Sequence, residues 1–200
     1  MGEFEVVSRL FALLLGLAIA EVLKGFARVV RIRLKAEDVR PGAVRIGWLV
    51  PLLGTMMVLD QMTFWINFQH FGPLLPGTYP SLVSMMVLIG GYYALSTMVF
   101  PAEPKQWPDY DDYYLVVRRT VLGGILAVNL LTICAVLALE FYRQSGIFDA
   151  MPGADDTFGG LLEVLTVPVL MALLFVRGKP WNLLLLATVN LLMLAEVLPF

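Results

Sequence analysis

Apolar residues in this chain come in long runs bounded by charge, proline or glycine. A bilayer hydrocarbon core about 30 Å thick needs about twenty mainly apolar residues in an α-helix. Six runs meet that need and predict spans over 4–23, 46–68, 82–100, 114–141, 161–176 and 181–198. The second carries Pro51 near its start, the third is closed by Pro101, and the fourth is long enough to tilt or to continue past the membrane. The last two are separated only by Arg177-Gly178-Lys179-Pro180, where the glycine ends one helix and the proline opens the next. Leu10 to Leu17 with Ala18-Ile19-Ala20 resembles a cleavable signal, but Glu3 and Glu5 against Arg9 give its start the wrong sign. The first segment is therefore expected to be retained.

Polar residues inside these runs fall into stripes. In the second segment Asp60, Thr63, Asn67 and His70 are spaced by 3, 4 and 3, which places them within about an 80° arc over about 15 Å. Trp65 falls on the opposite side. In the fourth, Asn129, Thr132, Val136, Glu140 and Arg143 share one face, while Thr120, Gly124, Ala127, Ala135 and Ala138 lie toward another. An ionisable or amide group among lipid tails is costly, so the polar stripes are expected to face the bundle interior or a water-filled cavity. Ala12, Gly16 and Ala20 in the first segment, with Gly124 and Ala127 in the fourth, are expected to let helices approach closely. Arg9 lies near the first of these arcs and is expected to turn inward as charge compensation, with Asp60 or Glu163 as its partner. Glu163 and Thr166, then Asn190 and Glu196, are compatible with the same interior.

Composition agrees with this pattern. With 59% hydrophobic and only 15% charged residues and a mean hydropathy of +0.80, neither a water-soluble fold nor a disordered chain is expected. The expectation is an all-α polytopic membrane protein, a single transmembrane domain over 1–200. Cys134, the one cysteine, excludes an intramolecular disulfide and a cysteine-based zinc site.

Charge gives the orientation. Twelve basic residues (Lys24, Arg28, Arg31, Arg33, Lys35, Arg40, Arg45, Lys105, Arg118, Arg119, Arg177 and Lys179) fall on one side of the six-span alternation, and only Arg9 and Arg143 on the other. The positive-inside rule then puts both termini outside the cytoplasm. The outer side carries Glu3, Glu5, Asp149, Asp155 and Asp156, and Asp60, Glu140, Glu163 and Glu196 fall in or near the outer halves of their helices. The field of that face would concentrate cations, although acidic loops also remain wherever basic residues are confined inside. The stretch 25–45 is expected to continue the first helix along the anionic headgroups as far as Pro41-Gly42. The segment PAEPKQWPDYDD (101–112) is too rich in proline for a helix. Its Asp109, Asp111 and Asp112 are read as an acidic helix start rather than a divalent-cation site, since nothing nearby completes an oxygen-ligand set. FGPLLPGTYP (71–80) is expected to be a stiff cap over the bundle.

Several chemistries lack their residues. His70 is the one histidine, which rules out bis-histidine haem within one subunit. There is no G-x-S-x-G, H-E-x-x-H or Walker A pattern, and no soluble basic domain for nucleic acid. Met56, Met57, Met62, Met85 and Met86 are ordinary filler of membrane helices rather than copper ligands. Neither a cofactor, a metal nor a catalytic residue is expected.

The stretches GLAIAEVLKGFARVV (16–30), QMTFWINF (61–68), YYALSTMVFP (92–101) and DYDDYYLVVRR (109–119) resemble a group of uncharacterised bacterial six-helix integral membrane proteins of this length. The resemblance implies a place in the bacterial inner membrane and brings no function. The Arg-x-x-x-Phe-Ser-Asp pattern of small six-helix potassium channels is absent, because Arg9 is followed by Ala12-Leu13-Leu14-Leu15. The leading expectation is a small, self-associating channel or transporter-like protein. Its outward polar cavity is lined by Asp60, Thr63, Asn67, His70, Asn129, Thr132, Glu140 and Glu163 and takes a small cation or a proton. The alternative is a non-catalytic scaffold or sensor that binds a partner through the basic extension or the 101–112 loop.

Overall fold

The computed structural model describes residues 3–34, 44–72, 78–143 and 157–197. It is all-helical, with α1 (Glu3–Arg33), α2 (Leu49–Phe71), α3 (Tyr79–Val99), α4 (Tyr110–Arg143), α5 (Thr157–Phe175) and α6 (Lys179–Val197). Four of these contain stretches long and apolar enough to cross a membrane: Ser8–Arg33, Leu49–Gln69, Ser81–Val99 and Tyr110–Ala138. Helix ends differ from the apolar runs where the chain has no reason to stop. No proline or glycine pair interrupts the residues after Leu23, so α1 runs through its basic stretch to Arg33. Pro51 and Pro80 sit in the first turn of α2 and α3, where the missing N–H has no helical partner to lose. The remainder of the basic extension (35–43) and most of the expected cap (73–77) lie outside the described residues.

Helix α2 is the hub, packing against α1, α3, α4 and α6, while α1 lies along α3 and α5 lies between α4 and α6. Among the described side chains of α1 the buried ones are at Phe11, Leu15, Ala18, Val22, Gly25 and Val29. They alternate spacings of four and three, the seam of a helix packed lengthwise on its neighbours. Phe11 stacks on Phe68 at 3.9 Å between centroids and meets Phe64 and Trp65 at 5.5 Å. Trp65 thus packs partly against the core, where α1 covers it, rather than pointing wholly away. Outward positions of α1 are also apolar, with Leu10, Leu13, Leu17 and Leu23 each more than half exposed. A bundle apolar on both its inner and outer faces suits a hydrocarbon surrounding.

One end of the bundle gathers the ends of α1, α3 and α5 with the starts of α2, α4 and α6. Arg28 donates to the carbonyls of Pro101 and Ala102 at 3.1 and 2.8 Å, and Arg33 lies 5.2 Å over the Trp48 ring. Backbone bonds join the residues before α2 and α4: Arg45 N–H to the Pro108 carbonyl at 2.7 Å and Tyr110 N–H to the Arg45 carbonyl at 3.0 Å. Asp109, Asp111 and Asp112 at this end each have structural work. Asp109 accepts from the Asp111 N–H at 2.8 Å, and Asp111 accepts from the Leu49 N–H at 3.3 Å, capping α2 from another helix. Lys179 lies 2.7 Å from Asp112 and 3.4 Å from Asp109. Asp112, then Asp109, hold the Lys179 ammonium above its ordinary range by hydrogen bonding.

Candidate functional site

Buried polar side chains form two groups in the packed interior. The first centres on Asp60, eleven residues into α2 and so about 16 Å along it. Asp60 is only 4% exposed. Its Oδ2 accepts from the Tyr92 hydroxyl of α3 at 2.7 Å and its Oδ1 from Asn129 Nδ2 of α4 at 3.0 Å. Asn129 also donates to the Ile125 carbonyl one turn back, which fixes its rotamer. Beside this triad Gln61 Nε2 donates to Ser96 Oγ at 2.8 Å. Three helices are therefore tied at one level by polar contacts. Gly124 permits the close approach, since it meets the Leu95 side chain where a Cβ would stand.

The second group lies between α4, α5 and α6. Arg118, 4% exposed, donates through one terminal nitrogen to the Val176 carbonyl, to the Leu173 carbonyl at 3.4 Å and to Asn182 Oδ1 at 3.0 Å. Tyr114 donates to the same Asn182 oxygen at 2.9 Å, and Asn182 Nδ2 donates to the Val176 and Gly178 carbonyls at 3.0 and 2.9 Å. The guanidinium thus faces the unpaired carbonyls at the end of α5, the negative pole of that helix. A further amide, Asn190 of α6, donates to the Leu52 carbonyl of α2 at 3.1 Å.

Of the residues expected to line a cavity, the fold joins Asp60 and Asn129 directly. Thr63 and Asn67 share the Asp60 face of α2 and are half-buried, and Thr132 donates to the Val128 carbonyl of its own helix. The side chains of His70, Glu140 and Glu163 lie outside the described set. Arg9 is exposed and makes an interaction of its own, while the two donors on Asp60 are neutral. Among the small residues, Gly124 is at a helix contact, whereas Ala12, Gly16, Ala20 and Ala127 face outward from the single chain.

The residue pattern alone does not single out Tyr92, Gln61, Ser96, Tyr114 and Asn182, and marks Arg118 only as a topology charge. Tyr92 and Tyr114 look like interfacial aromatics until a partner is known. Gln61 and Asn182 did carry a signal, as amides inside or bordering apolar runs.

Three buried oxygens, Gln61 Oε1, Thr63 Oγ1 and Asn190 Oδ1, and the Arg118 Nε have no hydrogen-bond partner. Two of these oxygens lie within three residues of Asp60. Buried polar atoms of this kind are where internal water or a ligand is expected. No protein-family model matches the chain, and neither a curated protein nor a solved structure matches it.

Proposed function

We propose that the chain is a small ion-translocating protein of the bacterial inner membrane, in which Asp60 is the site that takes up a small cation or proton. The observation that carries the reading is a carboxylate in the middle of an apolar bundle that meets two neutral donors, with unpartnered oxygens beside it on the same helix. A buried charge held without a counter-charge is costly, and in membrane helices such groups mark ion and proton routes.

In the same reading all six helices cross the bilayer, both termini lie outside the cytoplasm, and the polar face of α2 opens outward through Thr63 and Asn67. The nineteen residues of α5 and of α6 rise about 28 Å each, close to the hydrocarbon thickness. Gathering of alternate helix ends at the basic side supports the same alternation. Self-association would use the outward small-residue face of α1 and give a six-helix chain of this size a route that one copy leaves little room for.

The scaffold reading is the weaker. Within the described part of the basic extension Lys24 lies 3.4 Å from Glu21 and Arg28 and Arg33 are engaged within the chain, which leaves Arg31 and Arg45 for a partner. Liposomes containing the purified protein test the preferred one. Cation or proton flux above that of empty vesicles is expected with the wild type and not with Asp60→Asn at equal folded protein. Equal flux from both proteins would remove Asp60 from the pathway, and no flux under any gradient would return the weight to the scaffold.

A further inference from the structure

Resting on the reading of Asp60 as the uptake site, we infer that its ligand is a proton and not a metal cation, exchanged at Asp60 Oδ2 against the Tyr92 hydroxyl. The two candidate ligands ask different things of the carboxylate. Hard metal ions are held by several oxygens at once, six or more for the divalent ones. At Asp60 both oxygens already receive hydrogens, from Tyr92 on one and Asn129 Nδ2 on the other. Those donors direct the positive ends of their dipoles at the carboxylate and take one lone-pair site on each oxygen, so a metal ion would have to share the carboxylate with them or displace them. No group of three or more histidine, cysteine or carboxylate ligands occurs among the described residues.

A proton requires no such rearrangement. The tyrosine hydroxyl is both donor and acceptor. When Asp60 is ionised Tyr92 donates to Oδ2, as found. When Oδ2 takes a proton, the hydroxyl rotates and accepts the new O–H, while Asn129 continues to donate to Oδ1. Asp60 therefore keeps a hydrogen-bonding partner on each oxygen in both charge states, with the same three side chains in place. The step balances as transfer of one proton from a hydronium in internal water to the carboxylate, giving a neutral carboxylic acid and water; release reverses it. Thr63 Oγ1, one turn further along α2, and Gln61 Oε1, on the neighbouring residue, are the unpartnered oxygens that can hold that water.

The surroundings contain little that competes. From α3 the titratable group facing Asp60 is Tyr92, and α4 contributes the neutral Asn129. At this level α1 buries Leu15, Ala18 and Val22, and α6 brings the neutral Asn190 to α2 at Leu52. On α1 Glu21 is paired with Lys24, 3.4 Å away.

Infrared difference spectroscopy of the full chain in liposomes tests this without depending on transport. A carboxylic-acid carbonyl band is expected to appear on acidification in the wild type, to be absent in Asp60→Asn, and to shift in Tyr92→Phe, which keeps the carboxylate. Proton flux should fall to the empty-vesicle level in Asp60→Asn and should not depend on whether sodium or potassium is present. Absence of a band that depends on Asp60 would overturn the inference. So would flux carried by sodium or potassium with proton movement excluded, even though Asp60 would then remain a translocation site. A titrating band without any flux would uphold the proton at Asp60 and defeat translocation instead.

Discussion

Arg118 and Asp60 are both ionisable groups removed from water, and each is met by partners without full charge. Asp60 receives an amide and a hydroxyl from two other helices, whereas Arg118 is set against the carbonyl end of α5 and the oxygen of Asn182. An arginine suits that position because its planar fork is less strongly hydrated than an ammonium and reaches several acceptors at once. Replacing Arg118 by Met should remove one donor from the Val176 carbonyl and one from Asn182 Oδ1, which keep Asn182 Nδ2 and Tyr114, and cost about 1 kcal/mol. Replacement of Asn182 by Leu should cost a similar amount. Because the two side chains touch, the double variant should be less destabilised than the sum, which thermal unfolding in detergent would measure. Additive losses would mean that the contact contributes nothing. At this scale the sequence marks Asp60 and Asn129 by their position in apolar runs, but it does not show which neutral group reaches them, since that is decided by contacts between residues 32 to 69 positions apart.

For the helices, the decisive features are where they come closest. Gly25 of α1 faces the Phe100 ring after α3, and a Cβ there would overlap it; Gly54 of α2 meets the same ring. Phe100 is thereby locked between α1 and α2, with Phe26 completing the contact edge-on at 5.1 Å. Gly25→Ala should destabilise the fold by about 1–3 kcal/mol through overpacking, and Phe100→Leu in the same chain should restore part of that loss. An unchanged midpoint in the single variant would show that α1 and α3 can separate without cost. Gly47 plays a parallel part before α2, where a side chain would displace the Asp111 carboxylate from the Leu49 N–H. The nearby contact of Lys179 with Asp112 and Asp109 has a defined pH dependence. Its lysine is held above 10.5, so the stabilisation is present at and below that pH and is lost only as pH rises through the raised value. Both partners of the shorter pair are largely exposed, at 41% and 61%, so the effect is expected to be small.

Over the whole molecule, the basic end is a network in which loops, helix starts and helix ends hold one another, and this is the end expected to face the cytoplasm. The orientation can be read by labelling with a membrane-impermeant thiol reagent on a Cys134→Ser background. Thr78→Cys should react in intact cells, whereas Lys105→Cys and Arg177→Cys should react only after permeabilisation. Reaction of Arg177→Cys from outside would break the six-span alternation. The apolar runs and their charged borders are sufficient by themselves to determine an all-helical chain suited to a membrane, because in hydrocarbon the backbone must satisfy its own hydrogen bonds and length and hydrophobicity then select the helices. The same local information marked which residues were polar in the wrong place. Only the tertiary structure decided that α2 is the hub, that Asp60 meets Tyr92 and Asn129, and that Arg118 closes the end of α5. These depend on which helices lie side by side and at what register, and lipid-facing and protein-facing surfaces are equally apolar here, so hydrophobicity alone does not distinguish them.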